Sequence, residues 1–82
     1  MWNNIDNSLR RSFRFNDFKT AFAFLTDVAA EVERLDHHPW FSNEYNVVEF
    51  RLHTHDAGNV VTARDHRLAA AIDAVASRYL LQ

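Results

Sequence analysis

The sequence predicts an α+β fold: an antiparallel four-stranded sheet with helices packed on one face, a two-layer sandwich forming a single domain over residues 1–82. Three observations predict it. Residues 10–15 and 45–55 alternate apolar and polar side chains, the period of a half-buried strand. Residues 16–36 and 62–81 repeat apolar side chains at helical spacing. The order strand, strand, helix, strand, short strand, helix then matches helices segregated to one face of an antiparallel sheet.

In "RRSFRF", residues 10–15, Phe13 and Phe15 point one way and Ser12 and Arg14 the other. Residues 2–8, "WNNIDNS", are expected to pair with it as a frayed first strand. The helix that follows takes Asn16 as its expected N-cap. Phe18, Phe22, Leu25, Ala29 and Val32 mark one face, and Ala21, Phe24, Val28 and Leu35 a second stripe beside it. Together they cover roughly 160° of arc, against the ~100° that one sheet contact needs, so the helix is expected to meet another subunit as well. Pro39 and the polar "SNE" end that element.

In "YNVVEFRLHTH", Val48, Phe50 and Leu52 share a face, while Glu49, Arg51, His53 and His55 share the other. A turn at Asp56–Gly58 leads to "NVV", expected as a short strand, and then to the second helix. Leu68, Ala71, Ile72, Val75 and Tyr79 mark its buried side, and Thr62 with Asp65 three residues on forms a capping box.

Composition narrows the function. Hydrophobic residues make up 48% of the chain, including seven Phe, two Trp and two Tyr, enough for a packed core. With no cysteine, disulfides, thiolate metal sites and cysteine nucleophiles are excluded. A net charge of −2 gives no electrostatic footprint for nucleic acid. The sequence shows neither a membrane-spanning run nor a signal peptide, so a soluble cytoplasmic protein, with no membrane partner, is expected.

Four of the five histidines, His37, His38, His53 and His55, lie within residues 37–55. Imidazole gives and takes protons near neutral pH, which suits acid–base work. The end of the long helix and the end of the third strand can converge on one rim, placing His37, His38 and His55 together. Asp36, Asp56 and Asp65 are the carboxylates available to orient an imidazole. His53, mid-strand on the open face, reads as an ordinary surface residue, and Asp65 is already explained by its capping box. A zinc site using His53-x-His55 with His37 or His38 is the competing reading. A nucleic-acid surface on Arg10, Arg11 and Arg14 is weaker, because exposed strands carry charge for other reasons.

The segment "EVERLDHHPWFSNEYNVVEFRLHTHDAG", followed by Asp65 and "LAAAID", resembles the pterin-4a-carbinolamine dehydratase family. His-His-Pro, Tyr-Asn and Thr-His stand in register, and "FRFNDFKTAFAFLTDVA" is similar to that family's entry to its long helix. The resemblance covers residues 13 to about 76. It implies dehydration of 4a-hydroxytetrahydropterin to quinonoid dihydropterin, recycling the pterin of aromatic amino-acid hydroxylases, with no metal or other cofactor. Carried over by position, His37, His38, His55 and Asp65 are the expected catalytic residues. Glu33, Asp36, Pro39, Thr54 and Asp56 are expected to line the pterin pocket, with Trp40 or Phe41 stacking on the ring. Expected partners are the pterin, a second copy in a homodimer or homotetramer, and an aromatic amino-acid hydroxylase. The alternative within the family is a non-catalytic dimerisation cofactor or assembly chaperone.

Three departures from the family pattern stand out. The helix that usually precedes the first strand is missing. The aromatic after Pro39 is shifted, giving Trp40-Phe41. The His55–Asp65 spacing is one residue longer than the family's, so "AGNVVTA" has to bulge, and the reach of Asp65 is a question for the structure.

Overall fold

The computed structural model describes residues 1–80. Its elements run β1 (Asn3–Ile5), β2 (Ser8–Arg14), α1 (Phe18–Leu35), β3 (Trp40–Glu44), β4 (Val47–Leu52) and α2 (Ala63–Leu80), with a 3-10 turn at His55–Ala57 between β4 and α2. The four strands form one antiparallel sheet in the order β1-β2-β4-β3. Helix α1 packs over β4 and α2 over β2, and the helices touch each other. The predicted fold class is therefore the observed one.

Alternation explains the two central strands. Leu9 and Phe13 of β2, with Phe15 just beyond it, and Val48, Phe50 and Leu52 of β4 are buried beneath the helices. From above, α1 contributes Ala21, Phe24, Val28 and Val32, and α2 contributes Leu68, Ala69, Ile72, Val75 and Ala76. Phe24 is at the centre, fully buried, with ring centroids 4.7 Å from Phe15, 5.3 Å from Phe13 and 6.0 Å from Phe50. Burying one such side chain stabilises the fold by about 1.5–3 kcal/mol.

The strand inventory differs from the expected one. Residues 40–44, where Pro39 and "SNE" are expected only to end the long helix, form edge strand β3, paired with β4 from Trp40↔Arg51 to Glu44↔Val47. The predicted short strand at 59–61 reduces to a single bridge, Thr54↔Val60. The strand predicted over 45–55 spans Val47–Leu52, because Tyr45, at φ 51, and Asn46 make the β3–β4 turn. Asn46 also ties that turn to the start of α1: its Nδ2 donates to the Phe15 carbonyl at 2.8 Å, and the Phe15 N–H donates to the Asn46 carbonyl at 2.9 Å.

Two details of α1 are corrected. Its N-cap is Asp17, whose carboxylate accepts the Thr20 N–H at 2.8 Å, rather than Asn16. Of the two apolar stripes, the one carrying Phe24 and Val28 enters the core, whereas Phe18 and Phe22 remain 49% and 51% exposed with their rings 5.6 Å apart. Helix α2 begins as the capping box requires, with the Asp65 carboxylate accepting the Thr62 N–H at 2.8 Å. Leu81, the last residue of the predicted helix, lies outside the described residues.

Candidate active site

The end of α1 sets the first half of the site. Asp36 adopts a left-handed φ of 50°; its N–H donates to the Glu33 carbonyl, and the His37 N–H to the Val32 carbonyl, both at 3.3 Å. This is a Schellman-type cap. It turns the chain sharply, so that His37 points inward, 7% exposed, and His38 lies outside.

The second half comes from the segment after β4. Thr54 accepts the backbone N–H groups of Ala57 and Asn59 on its carbonyl at 3.2 and 3.0 Å, and its own N–H donates to the Val60 carbonyl at 2.8 Å. Gly58, at φ 89, and Asn59, at φ 60, close this loop. Across this loop Asp65 arrives beneath His37.

There the buried polar atoms all find partners. His37 Nε2 lies 2.6 Å from Asp65 Oδ1; Asp65 Oδ2 accepts the Thr54 hydroxyl at 2.8 Å and the Thr62 N–H at 2.8 Å. Asp65 has no exposed surface. Burial pushes its carboxyl pKa up, but hydrogen bonds from His37, the Thr62 N–H and the Thr54 hydroxyl, with the His37 charge, outweigh burial and hold it below the usual value. The ionised carboxylate only accepts, so Nε2 carries the His37 proton and Nδ1 is left as the basic nitrogen. No buried, unpartnered side-chain nitrogen or oxygen occurs among the described residues, so this Nδ1, which makes no hydrogen bond, is open to the cleft.

The other two imidazoles are oriented in the same manner. His55 Nδ1 donates to Asn59 Oδ1 at 3.0 Å, which frees Nε2. His38 Nε2 donates to Glu33 Oε2 at 3.0 Å, a solvent-exposed contact that frees Nδ1. His37, His38, His53 and His55 line one cleft of about 210 Å³ with Asp36, Asp56 and Arg64. Beside it is an apolar cavity of about 230 Å³ walled by Val28, Val32, Glu33, Pro39, Phe41 and His38, so His38 stands on the border between the two.

The structure thus brings together His37, His38, His55, Asp36 and Asp56, with Glu33 and Pro39 next door. Two expected pocket residues are placed elsewhere. Thr54 is 4% exposed and serves Asp65 from behind. Trp40 lies on the open face of the sheet, 4.2 Å from the Arg51 guanidinium, because its neighbour Phe41 takes the helix-side position opposite Phe50. Three residues had no expected role in the cleft: His53, Asn59 and Arg64, whose guanidinium donates to the Asp36 carbonyl at 3.0 Å. An amide four residues after His55 and a cation next to Asp65 are the only sequence signals that pointed to the last two. Among the described residues, no three His, Asp or Glu side chains converge as a metal-holding set.

A small two-layer α+β domain with a histidine-lined cleft at one rim of its sheet is the class that fold and site define. The sequence model of the family described as Pterin 4 alpha carbinolamine dehydratase matches residues 1–75, and the chain belongs to that family. A Rhodopseudomonas palustris (strain HaA2) protein, provisionally named a pterin-4-alpha-carbinolamine dehydratase, is 48% identical over 80 residues, covering 95% of this chain and 78% of the relative. A crystal structure described as a transcriptional coactivator/pterin dehydratase from Brucella melitensis superposes with a TM-score of 0.85 at 42% identity, over 90% of this chain and 80% of that one. A second structure, of a pterin dehydratase-like protein identified as a RuBisCO assembly factor in the alpha-carboxysome, gives a TM-score of 0.74 at 25% identity over 93% and 87%.

Proposed function

We propose that the chain converts 4a-hydroxytetrahydropterin to quinonoid dihydropterin plus water by histidine acid–base catalysis, recycling the pterin of aromatic amino-acid hydroxylases. The C4a–O bond breaks as an imidazolium gives its proton to the leaving hydroxyl. A neutral imidazole takes the N5 proton, and the N5–H electron pair becomes the C4a=N5 bond. In this reading His55 is the acid, His38 the base, and His37 shares those roles on the other face of the ring. Each transfer is worth about 10²-fold or more. No metal or other cofactor takes part, and the enzyme works as a cytoplasmic homodimer or homotetramer.

The observation that carries the reading is the meeting of His37, His38 and His55, from two separate segments, on one cleft. The fixed Nε2 proton of His37 above a buried carboxylate adds to it. A coupled assay tests it: a hydroxylase generates the 4a-hydroxypterin in place, and its decay is followed with wild type, His38→Ala and His55→Ala. Acceleration by wild type is expected to fall about 10²-fold or more in each variant with the circular dichroism unchanged. No acceleration by folded wild type overturns the reading.

A second reading, a non-catalytic dimerisation cofactor or assembly chaperone, draws on the exposed Phe18–Phe22 pair and on the description of the 25% identical relative. That pair is at the opposite end of α1 from His37, so the two uses do not compete for the same surface.

A further inference from the structure

The open face of the sheet holds a second cleft, of about 380 Å³, lined by Asp6, Asn7, Arg10, Trp40, Arg51, His53 and Asn59. Two residues join it to the histidine cleft. His53 lines both cavities, and Asn59 lines this one while its side chain holds His55.

The composition of this second cleft is unusual for its position. Arg10 and Arg51 lie directly opposite each other on adjacent strands, and like charges in that register repel. Their carboxylate neighbours do little to offset this: Asp6 is 3.9 Å from Arg10 with its side chain 87% exposed, and Glu49 meets Arg51 at 3.4 Å. The chain carries a net charge of −2, yet two guanidiniums and an imidazole converge here, with one guanidinium stacked 4.2 Å over the Trp40 ring. Side-chain guanidiniums in pairs recognise phosphate and carboxylate groups, and each charge-assisted hydrogen bond adds geometric as well as energetic selectivity.

We infer that this open-face cleft binds an anionic substituent on the pterin whose ring occupies the histidine cleft, so that the preferred substrate is a 6-substituted pterin with a phosphate or carboxylate on its side chain. The inference rests on the proposed function. The side chain passes His53, and its anion is held by Arg10 and Arg51.

The test measures kcat/KM in the coupled assay for two 4a-hydroxypterins, one with a neutral 6-methyl group and one with a phosphorylated side chain. Wild type is expected to favour the anionic pterin by about 10-fold or more. Arg51→Gln and Arg10→Gln are expected to bring that ratio close to one; a ratio cancels any loss of folded enzyme. Equal values for the two pterins in wild type overturn the inference while leaving the dehydratase intact. Should no pterin turn over, the proposed function fails separately, and binding still decides the inference. Quenching of tryptophan fluorescence by the oxidised, phosphorylated pterin, absent in Trp40→Phe and weakened in Arg51→Gln, supports it. Inorganic phosphate that binds in the same titration while the pterins show no preference identifies a separate anion site and overturns it.

Discussion

Asp65 and His37, 28 residues apart in the chain, meet at 2.6 Å, the carboxylate fully buried and the imidazole open only at the edge that faces the cleft. The contact fixes which nitrogen of His37 faces the cleft, and it anchors the first turn of α2 to the last turn of α1. Site and scaffold therefore depend on the same carboxylate.

The pH dependence of stability follows from the sign of the Asp65 shift. Burial raises its pKa, and the hydrogen bonds from His37, Thr62 and Thr54 more than reverse this, so the folded value lies below the ordinary 3.8. Such a group contributes stability in full above its unfolded pKa and loses it as pH falls through the folded one. Wild type is expected to exceed Asp65→Asn in urea stability by about 1–3 kcal/mol near neutral pH. Titrating the urea midpoints of both proteins downward should show that gap narrowing below about pH 4.

The same pair predicts non-additive kinetics. In the proposed mechanism Asp65 serves only to position His37, so Asp65→Asn is expected to lower kcat about 10-fold or more. Once His37→Ala is present, adding Asp65→Asn should cost little more, a coupling that a double-mutant cycle reads directly. Additive losses would mean that Asp65 acts on the site by some other route.

Asn59 is expected to position His55. Asn59→Gly removes the acceptor without backbone strain at φ 60, whereas Asn59→Asp keeps an acceptor in the same place. The glycine variant should lose about 10-fold in kcat/KM, and the aspartate variant should recover much of it while moving the pH profile of His55. Equal activity in both variants rules out this role.

Gly58 gives a purely conformational prediction. A Cβ added there meets nothing within 4 Å, so Gly58→Ala introduces no clash. Its φ of 89° is still unfavourable for alanine, and the variant should lose about 1–2 kcal/mol. Thermal denaturation should place its Tm about 5–10 °C below wild type.

The exposed phenyl pair on α1 bears on assembly. Phe22→Glu places a charge in a patch where Phe18 and Phe22 stack 5.6 Å apart. The mass measured by light scattering after size exclusion should fall relative to wild type, with the circular dichroism unchanged. An unchanged mass would mean that Phe22 takes no part in assembly.

How much of this was legible in the sequence depended on burial. Alternation reports a strand only where one face is sealed, which is why Phe13 of β2 and Phe50 of β4 announced themselves. Edge strand β3 is exposed at Trp40, Phe41, Ser42 and Glu44, so "WFSNE" carries no period to read. Without β3, the opposite facings of Trp40 and Phe41 had no register to fix them. On α1, both apolar stripes contain phenylalanine, and hydrophobicity alone does not say which stripe meets the sheet. The N-cap moved one residue, from Asn16 to Asp17, because both side chains suit the position and only geometry chooses between them. In the site, the three motif histidines line one cleft, while His53, which the strand period sends to the open face beside Arg51, lines that cleft as well because it stands just past the end of β4.

The sealed contact among His37, Asp65 and Thr54 also constrains how this family could diversify. Changing His37 or Asp65 alone strands its partner's polar atom in the interior, at a cost of about 1–3 kcal/mol, and losing Thr54 leaves Asp65 Oδ2 with the Thr62 N–H alone. A descendant that abandons the chemistry and keeps the fold has therefore to exchange these residues together for a nonpolar set. Partial loss of this trio should then be rare among stable relatives, and intact or wholly rebuilt versions common.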